Sequence, residues 1–287
     1  MSETRGSVYI GTSGYDYRHW RGTFYPKELA RARWLRHASQ AFNSIELNGT
    51  FYSLKTPETF RRWAAETPDD GFVFAVKGSR FITHNLKLTR PRPALANFFA
   101  SGLLALGRKT GPLLWQLPPG YAFRRERVEA FLDELPRDPT AAERLARRHD
   151  RRVSGRALLR ASEPARYRHA FEVRHPSFFD PAFYDLLRAH DAAFVIADSA
   201  GKFVRADVVT ASFVYVRLHG SGELYVGGYP AAELDDWAAR IAAWASPPRP
   251  PARDVHVYFD NDALGHAPRD AAALTEKVRA LLGKLVS

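Results

Sequence analysis

What most constrains the fold of this chain is a recurrence. Eight short apolar runs, each closing on polar or charged residues, are strung along 287 residues, at 8–12, 44–48, 72–77, 113–117, 171–174, 194–198, 213–219 and 255–260. Their Val, Ile, Phe and Tyr content suits buried strands, and most of the intervals between them have helical periodicity. Eight β/α units in a chain of this length predict an α/β fold, a closed (β/α)8 TIM barrel, which typically takes about 250 residues. A barrel of this size is expected to be one domain over 1–287. Helices are predicted at 30–41, 57–66, 93–107, 125–135, 181–190, 231–245 and 269–285, with Pro57 suited to a first helical turn. The longest interval, between strands four and five, adds a basic helical segment at 140–150, with Thr140 and Glu143 spaced as a capping box. The stretch 201–209 is too short for a full sixth helix, and 246–252 reads as a Pro-rich connector.

In such a barrel the ligand site lies at the C-terminal ends of the strands, where the polar residues of these runs fall. Alternate side chains of a strand face opposite sides, and the outer face must be apolar to pack on helices. That test turns Glu46 and Asn48 inward against Ile45 and Leu47. It does the same for Glu172 and Arg174, for Tyr215, Arg217 and His219, and for Tyr258 and Asp260. Lys77, Gln116 and Asp198 join them. The inner mouth is therefore predicted to hold Lys77, Arg174 and Arg217 against Glu46, Glu172, Asp198 and Asp260. Each isolated buried ion loses several kcal/mol of hydration. These charges must either plug the barrel as a closed salt-bridge network or serve a ligand, and the ligand site is the favoured reading.

Glu172 and Asp198 are the candidate acid/base pair, their proton affinities separated by Arg174 and Lys77, with His219 as proton carrier. His219 leads into Gly220-Ser221-Gly222, and glycine there lets backbone N–H groups approach an anion while Arg217 adds a bidentate contact. A flexible turn without ligand is the bland alternative. Glu172, Asp198, His219 and Asp260 could instead hold one divalent metal, a weaker reading than no cofactor at all. Tyr15, Trp20 and Tyr52 are candidate ligand contacts at an aromatic rim, whereas Phe24 and Phe51 suit a packed lid. No P-loop, Rossmann fingerprint or G-x-S-x-G elbow is present, which argues against Walker-type nucleotide hydrolysis and serine-hydrolase chemistry.

The net charge is +11, and 34 of the 42 basic residues are Arg. Between Arg137 and Arg168 stand ten Arg and four acids, so this segment holds over half of the net charge. It reads as a solvated wall segment, with a nucleic-acid-facing patch as the alternative. The absence of cysteine excludes disulfides, thiolate metal sites and Cys nucleophiles. No run approaches the roughly 18 apolar residues of a membrane span, and 1–6 is polar, so a cytoplasmic location without a membrane partner is expected.

Several ordered motifs together resemble a known family. They are Gly11-Thr12-Ser13-Gly14-Tyr15 with Trp20 and Phe24-Tyr25-Pro26, Glu46-Leu47-Asn48-Gly49-Thr50-Phe51-Tyr52, Lys77 with Thr83-His84, Gln116-Leu117-Pro118-Pro119, Glu172-Val173-Arg174-His175-Pro176, Asp198-Ser199, and Tyr215-Val216-Arg217-Leu218-His219-Gly220. In order and content they are similar to the YecE-like family, also called domain of unknown function 72. The resemblance implies a TIM barrel and carries no settled activity; a likeness to endonuclease-IV-type enzymes is analogy of fold, which does not fix function. Asp260 and Phe178 depart from the family's usual Asn and Trp.

Three functional readings follow. The first is an enzyme working by acid/base chemistry on an anionic, phosphate-bearing or sugar-like substrate. There Lys77, Arg174 and Arg217 neutralise the substrate, while Tyr15, Trp20, Glu46, Asn48, Tyr52, Gln116, Gly220, Ser221, Tyr258 and Asp260 shape and line the pocket. The second is a nucleic-acid-binding or phosphodiester-cleaving protein using the segment from Arg137 to Arg168. The third is a ligand sensor without turnover.

Overall fold

Each strand of the computed structural model begins within a few residues of an apolar run, because those runs are where backbone and side chain can both be buried. The structure describes residues 5–249 and 251–283; residues 1–4, Pro250 of the predicted connector and the last two residues of the predicted final helix lie outside it. The strands are β1 (Val8–Ser13), β2 (Ser44–Leu47), β3 (Val73–Lys77), β4 (Thr110–Gln116), β5 (His169–Glu172), β6 (Ala193–Asp198), β7 (Phe213–Leu218) and β8 (Asp254–Phe259). They form a closed barrel in sequence order, and β8 pairs in parallel with β1. This is the TIM-barrel topology that the alternation predicts.

The helices are α1 (Trp34–Ala41), α2 (Gly49–Tyr52), α3 (Pro57–Ala65), α4 (Arg92–Ala100), α5 (Arg125–Glu134), α6 (Pro139–Ala146), α7 (Pro181–Ala189), α8 (Ala231–Ala245) and α9 (His266–Leu282). Pro57 occupies the first turn of α3, and the Thr56 hydroxyl caps it by accepting from the Thr59 N–H. As expected, 201–209 contains no helix. None of the described helices is long and apolar enough to cross a membrane.

Two helix predictions need correction. The helix expected over 93–107 ends at Ala100, because Gly102 takes a φ of +127° that a helix cannot hold, and a 3-10 segment, Leu103–Lys109, follows. A Cβ at Gly102 would come within 2.7–2.8 Å of Pro57 and Phe60, so glycine also permits the close approach of α3. The basic segment's helix is opened by Asp138, which accepts from the Ala141 N–H, and not by a Thr140–Glu143 box. Glu143 instead accepts from Ala161 N–H and pairs with Arg147, and the helix stops at Ala146.

The described chain divides into two compact units. The first holds the residues up to Glu46, Pro68–Phe72 and those from Ala193 onward; the second holds Leu47–Thr67 and Val73–Ala192. In the first, β7 and β8 are in register with Arg217 opposite Tyr258, and β1 meets β8 with Gly11 opposite Tyr258. In the second, Gln116 stands opposite Glu172. There the outward positions are apolar: Trp115 packs on Phe98 of α4 and Phe131 of α5, and Phe131 also meets Phe171 of β5.

Candidate functional site

In the first unit, alternation along β2, β7 and β8 sends polar side chains into the barrel, and their bonds show it. Arg217 spans the interior to Glu46, with Nη2 2.8 Å from Oε1 and Nε 3.1 Å from Oε2. The same Nη2 lies 2.8 Å from Ser13 Oγ and 3.0 Å from Asp260 Oδ2. Tyr215, one alternate position earlier on β7, donates to Glu46 Oε2 at 2.7 Å, and the Ser13 hydroxyl donates to Oε1. Both side chains of the Arg217–Glu46 pair have no exposure, whereas Asp260 retains 15%. The network is sealed at its base and meets solvent at Asp260. His219 Nδ1 lies 3.0 Å from Asp260 Oδ2. An ionised carboxylate only accepts, so this contact places the imidazole proton on Nδ1.

Asp262, two residues beyond Asp260, completes this end of β8. Burial and then the charge of Asp260 push its carboxyl up from 3.8 to about 6, while a backbone hydrogen bond and His19 pull the other way. His19, on the loop after β1, puts Nε2 2.6 Å from the Asp262 carbonyl oxygen and 4.0 Å from Oδ2. Two neighbouring carboxylates thus sit in different settings, one held by Arg217 and His219 and the other mostly desolvated. That asymmetry is what acid/base chemistry uses.

Several expected site residues have other duties. Trp20 is fully buried among Tyr17, Phe24 and Tyr25, so it is a core residue rather than a rim contact. Tyr258 is also fully buried, its hydroxyl 2.7 Å from Ser44 Oγ. Tyr15 is half-buried, and its carbonyl accepts from the Tyr25 hydroxyl. Asp198 accepts the Ala200 N–H and lies 4.0 Å from Arg205. Gly220, at φ +117°, turns its N–H to the Tyr229 hydroxyl, which also hydrogen-bonds Asp198. Ser221 Oγ donates to Glu233 at 2.7 Å. Two of the donors expected to cradle an anion are thus taken, one by Tyr229 of the loop and one by the Glu233 carboxylate of α8.

The second unit has its own polar group. Arg174 donates to Glu172 Oε1 from Nε at 3.0 Å and from Nη2 at 2.9 Å; Glu172 is buried and Arg174 retains 14% exposure. Gln116 is buried beside Glu172 in the ladder. Lys77 Nζ stands 4.7 Å over the Phe51 ring, and His84 meets the same ring edge-on. His84 Nδ1 lies 2.9 Å from the Thr83 hydroxyl. Burial, then Lys77, Arg80 and Arg174, hold the His84 imidazole below its ordinary proton affinity. Asn48 heads α2 half-buried, and Tyr52 at the end of α2 is 75% exposed.

Because Arg174 keeps a route to water, Glu172→Gln should cost about 1.5–3 kcal/mol, the worth of hydrogen bonds to a charged group. Urea denaturation checks this. A loss of about 5 kcal/mol would mean that Arg174 is left as an uncompensated buried charge.

Among the described residues no three His, Cys, Asp or Glu side chains converge as metal ligands. Of the residues considered as ligands, Glu172 pairs with Arg174 in the second unit, and Asp260 pairs with Arg217 and His219 in the first. Sequence reasoning missed Ser13, Tyr215 as a partner of Glu46, His19, Asp262 and the role of His84. Tyr215 shares a strand face with Arg217, which was a usable signal. Asp262 and His19 lie on loops, where no periodicity announces a side chain's direction.

The model of the family "Protein of unknown function DUF72" matches residues 9–285. The chain is 23% identical over 298 residues to UPF0759 protein YunF of Bacillus subtilis (strain 168), covering 94% of each. It is 28% identical over 175 residues to UPF0759 protein YecE of Escherichia coli (strain K12), covering 60% of this chain and 50% of that protein. Among solved structures it is similar to a DUF72 family protein from Thermotoga maritima, with a TM-score of 0.72 and 23% identity, covering 95% and 99% of the two chains.

Proposed function

We propose a function for this chain, which belongs to the DUF72 family, from the chemistry at its own strand ends: an enzyme that applies acid/base catalysis to an anionic, phosphate-bearing or sugar-like substrate. The observation that carries this reading is the pair after β8. Asp260 is anchored as a carboxylate by Arg217 and His219, while Asp262 beside it holds its proton up to about pH 6. A group titrating near the working pH is the most effective proton donor or acceptor. Asp262 is the general acid of this reading, kept protonated by burial and then by the charge of Asp260, and His219 is the proton carrier held by Asp260. Asp198 orients Tyr229 and the turn at Gly220. The roles first given to Glu172 and Asp198 as a pair thus move to Asp262 and Asp260, because Glu172 is buried and paired with Arg174 through Oε1.

Taken by itself, the second unit has Lys77, Arg80 and Arg174 acting on His84, with Glu172 opposing them. Such an excess of cations favours phosphate or carboxylate groups.

A panel of sugar phosphates, aryl phosphate monoesters and aryl phosphodiesters tests the reading with purified protein. Turnover of at least one member is expected, with a pH profile that changes slope near pH 6. A ligand bound and recovered intact would identify a sensor and overturn the enzyme reading, as would turnover that is flat between pH 5 and 7.

A further inference from the structure

We infer that the loop after β3, together with Tyr52 of α2, is a binding surface for single-stranded nucleic acid. The loop, residues 79–90, carries Arg80, Lys87 and Arg90 and no acidic residue. All three are exposed, and none of them forms an ion pair among the described residues. In the stretch from Arg137 to Arg168, three arginines are seen in ion pairs: Arg147, Arg152 and Arg166 pair with Glu143, Asp150 and Asp191. A further set of cations, with no acid in its own loop, thus lies on a segment that composition did not single out.

Aromatic rings stand among these cations. Phe81 is 45% exposed and Tyr52 75% exposed, in a chain that buries most of its large apolar side chains. Both are fixed from beneath. Phe81 opens a π-helical turn, Phe81–Asn85, and that turn carries His84. His84 packs on Phe51, and Phe51 packs on Tyr52 at 5.1 Å. The Arg152 guanidinium lies 5.8 Å from the Phe81 ring centre, bringing one residue of the basic segment to this surface.

The loop holds its shape at a cost. Lys87, Leu88 and Arg90 adopt φ of 47°, 64° and 45°, a conformation non-glycine residues rarely take, and buried Leu88 anchors the turn through its N–H to the Ile82 carbonyl. Backbone strain of this kind persists where the surroundings over-determine it, and it clusters at ligand clamps and switches. Here it keeps Lys87 and Arg90 exposed beside the π-turn.

Exposed rings interleaved with unpaired cations are what a flexible polyanion of stackable units requires. Bases stack on Tyr52 and Phe81, and the phosphates between them meet Arg80, Lys87 and Arg90. A duplex offers no free base faces, and a free mononucleotide would use one ring and leave the other idle. The chemistry selects a single strand. This inference concerns the second unit alone and does not depend on acid/base chemistry at Asp262.

Fluorescence anisotropy of a labelled oligothymidylate about twenty residues long tests it with the full chain, because thymidylate cannot pair with itself. Binding at low salt is expected. Tyr52→Ala and Phe81→Ala should each weaken it by roughly 5- to 100-fold, and circular dichroism should show an unchanged fold because both rings are exposed. Arg80→Gln and Lys87→Gln should each lower the salt slope by roughly 0.7. Absence of binding at low salt would overturn the inference. So would a duplex or heparin bound equally tightly with the aromatic variants unaffected, or thymidine monophosphate competing as well as the strand at equal nucleotide concentration. Turnover assays run alongside keep this outcome separate from the enzyme reading, since a chain can bind a strand and turn over none.

Discussion

Arg217→Met is expected to destabilise the protein by about 3–5 kcal/mol, read by urea denaturation at pH 7. Among the described residues, Arg217 is the only cation in contact with the Glu46 carboxylate, whose remaining side-chain partners are the neutral hydroxyls of Ser13 and Tyr215. Removing the guanidinium leaves a carboxylate with no exposure, and Asp260 loses a partner at the same time. The loss should change little with added salt, since buried pairs are screened far less than exposed ones. Arg217→Met combined with Glu46→Leu should recover much of it, because removing both charges also removes their desolvation cost. If Arg217→Met changes stability by less than about 1 kcal/mol, the pair is solvated and the sealed base of the network is wrong.

Asp262→Asn separates function from stability, and the two should move in opposite directions. Loss of a general acid costs typically 100- to 10,000-fold in turnover. Stability should rise. The folded state holds the Asp262 proton more tightly than the unfolded chain does, so the folded state is most favoured below about pH 4. That advantage is lost as pH rises from about 4 to about 6, where the folded group gives up its proton. A carboxyl moved from 3.8 to about 6 corresponds to about 3 kcal/mol. Solvent at its exposed side lowers the expected value to about 1–2 kcal/mol. The Asn variant never ionises, so it should be more stable than the parent above pH 6 by that amount and should lose the slope between pH 4 and 6. A variant that loses activity and stability together would make Asp262 a structural residue.

The barrel and the inward direction of its strand-end charges were legible in the sequence because both rest on periodicity, whereas the sealing of Arg217 and Glu46 from solvent was not. A two-residue alternation placed Glu46, Arg217 and Asp260 on one face, and the structure joins these three directly. Where a backbone conformation decides the outcome, the pattern fell short. The apolar stretch before Gly107 reads as one helix, yet Gly102 breaks it with a positive φ, at a place where a side chain would meet Pro57 and Phe60. Asp138 and Thr140 are both acceptable caps by type, and geometry alone chose Asp138.

Loops were the least legible. Trp20 looks like a rim aromatic by position, but three neighbouring rings enclose it. Gly220 and Ser221 resemble an anion cradle by composition, but Tyr229 and Glu233 take their hydrogens. Asp262 owes its character to burial and to a charge on Asp260, neither of which its own position in the sequence conveys.

The central claim is that Asp260 and Asp262 form an asymmetric pair in which burial, reinforced by the charge of Asp260, keeps Asp262 protonated. Carbon-13 NMR of aspartate-labelled protein, titrated in the parent and in Asp260→Asn, measures this directly. Asp262 should titrate near pH 6 in the parent and distinctly lower in Asp260→Asn, where the neighbouring negative charge is gone. An Asp262 carboxyl that titrates near its ordinary 3.8 in both proteins would contradict the account.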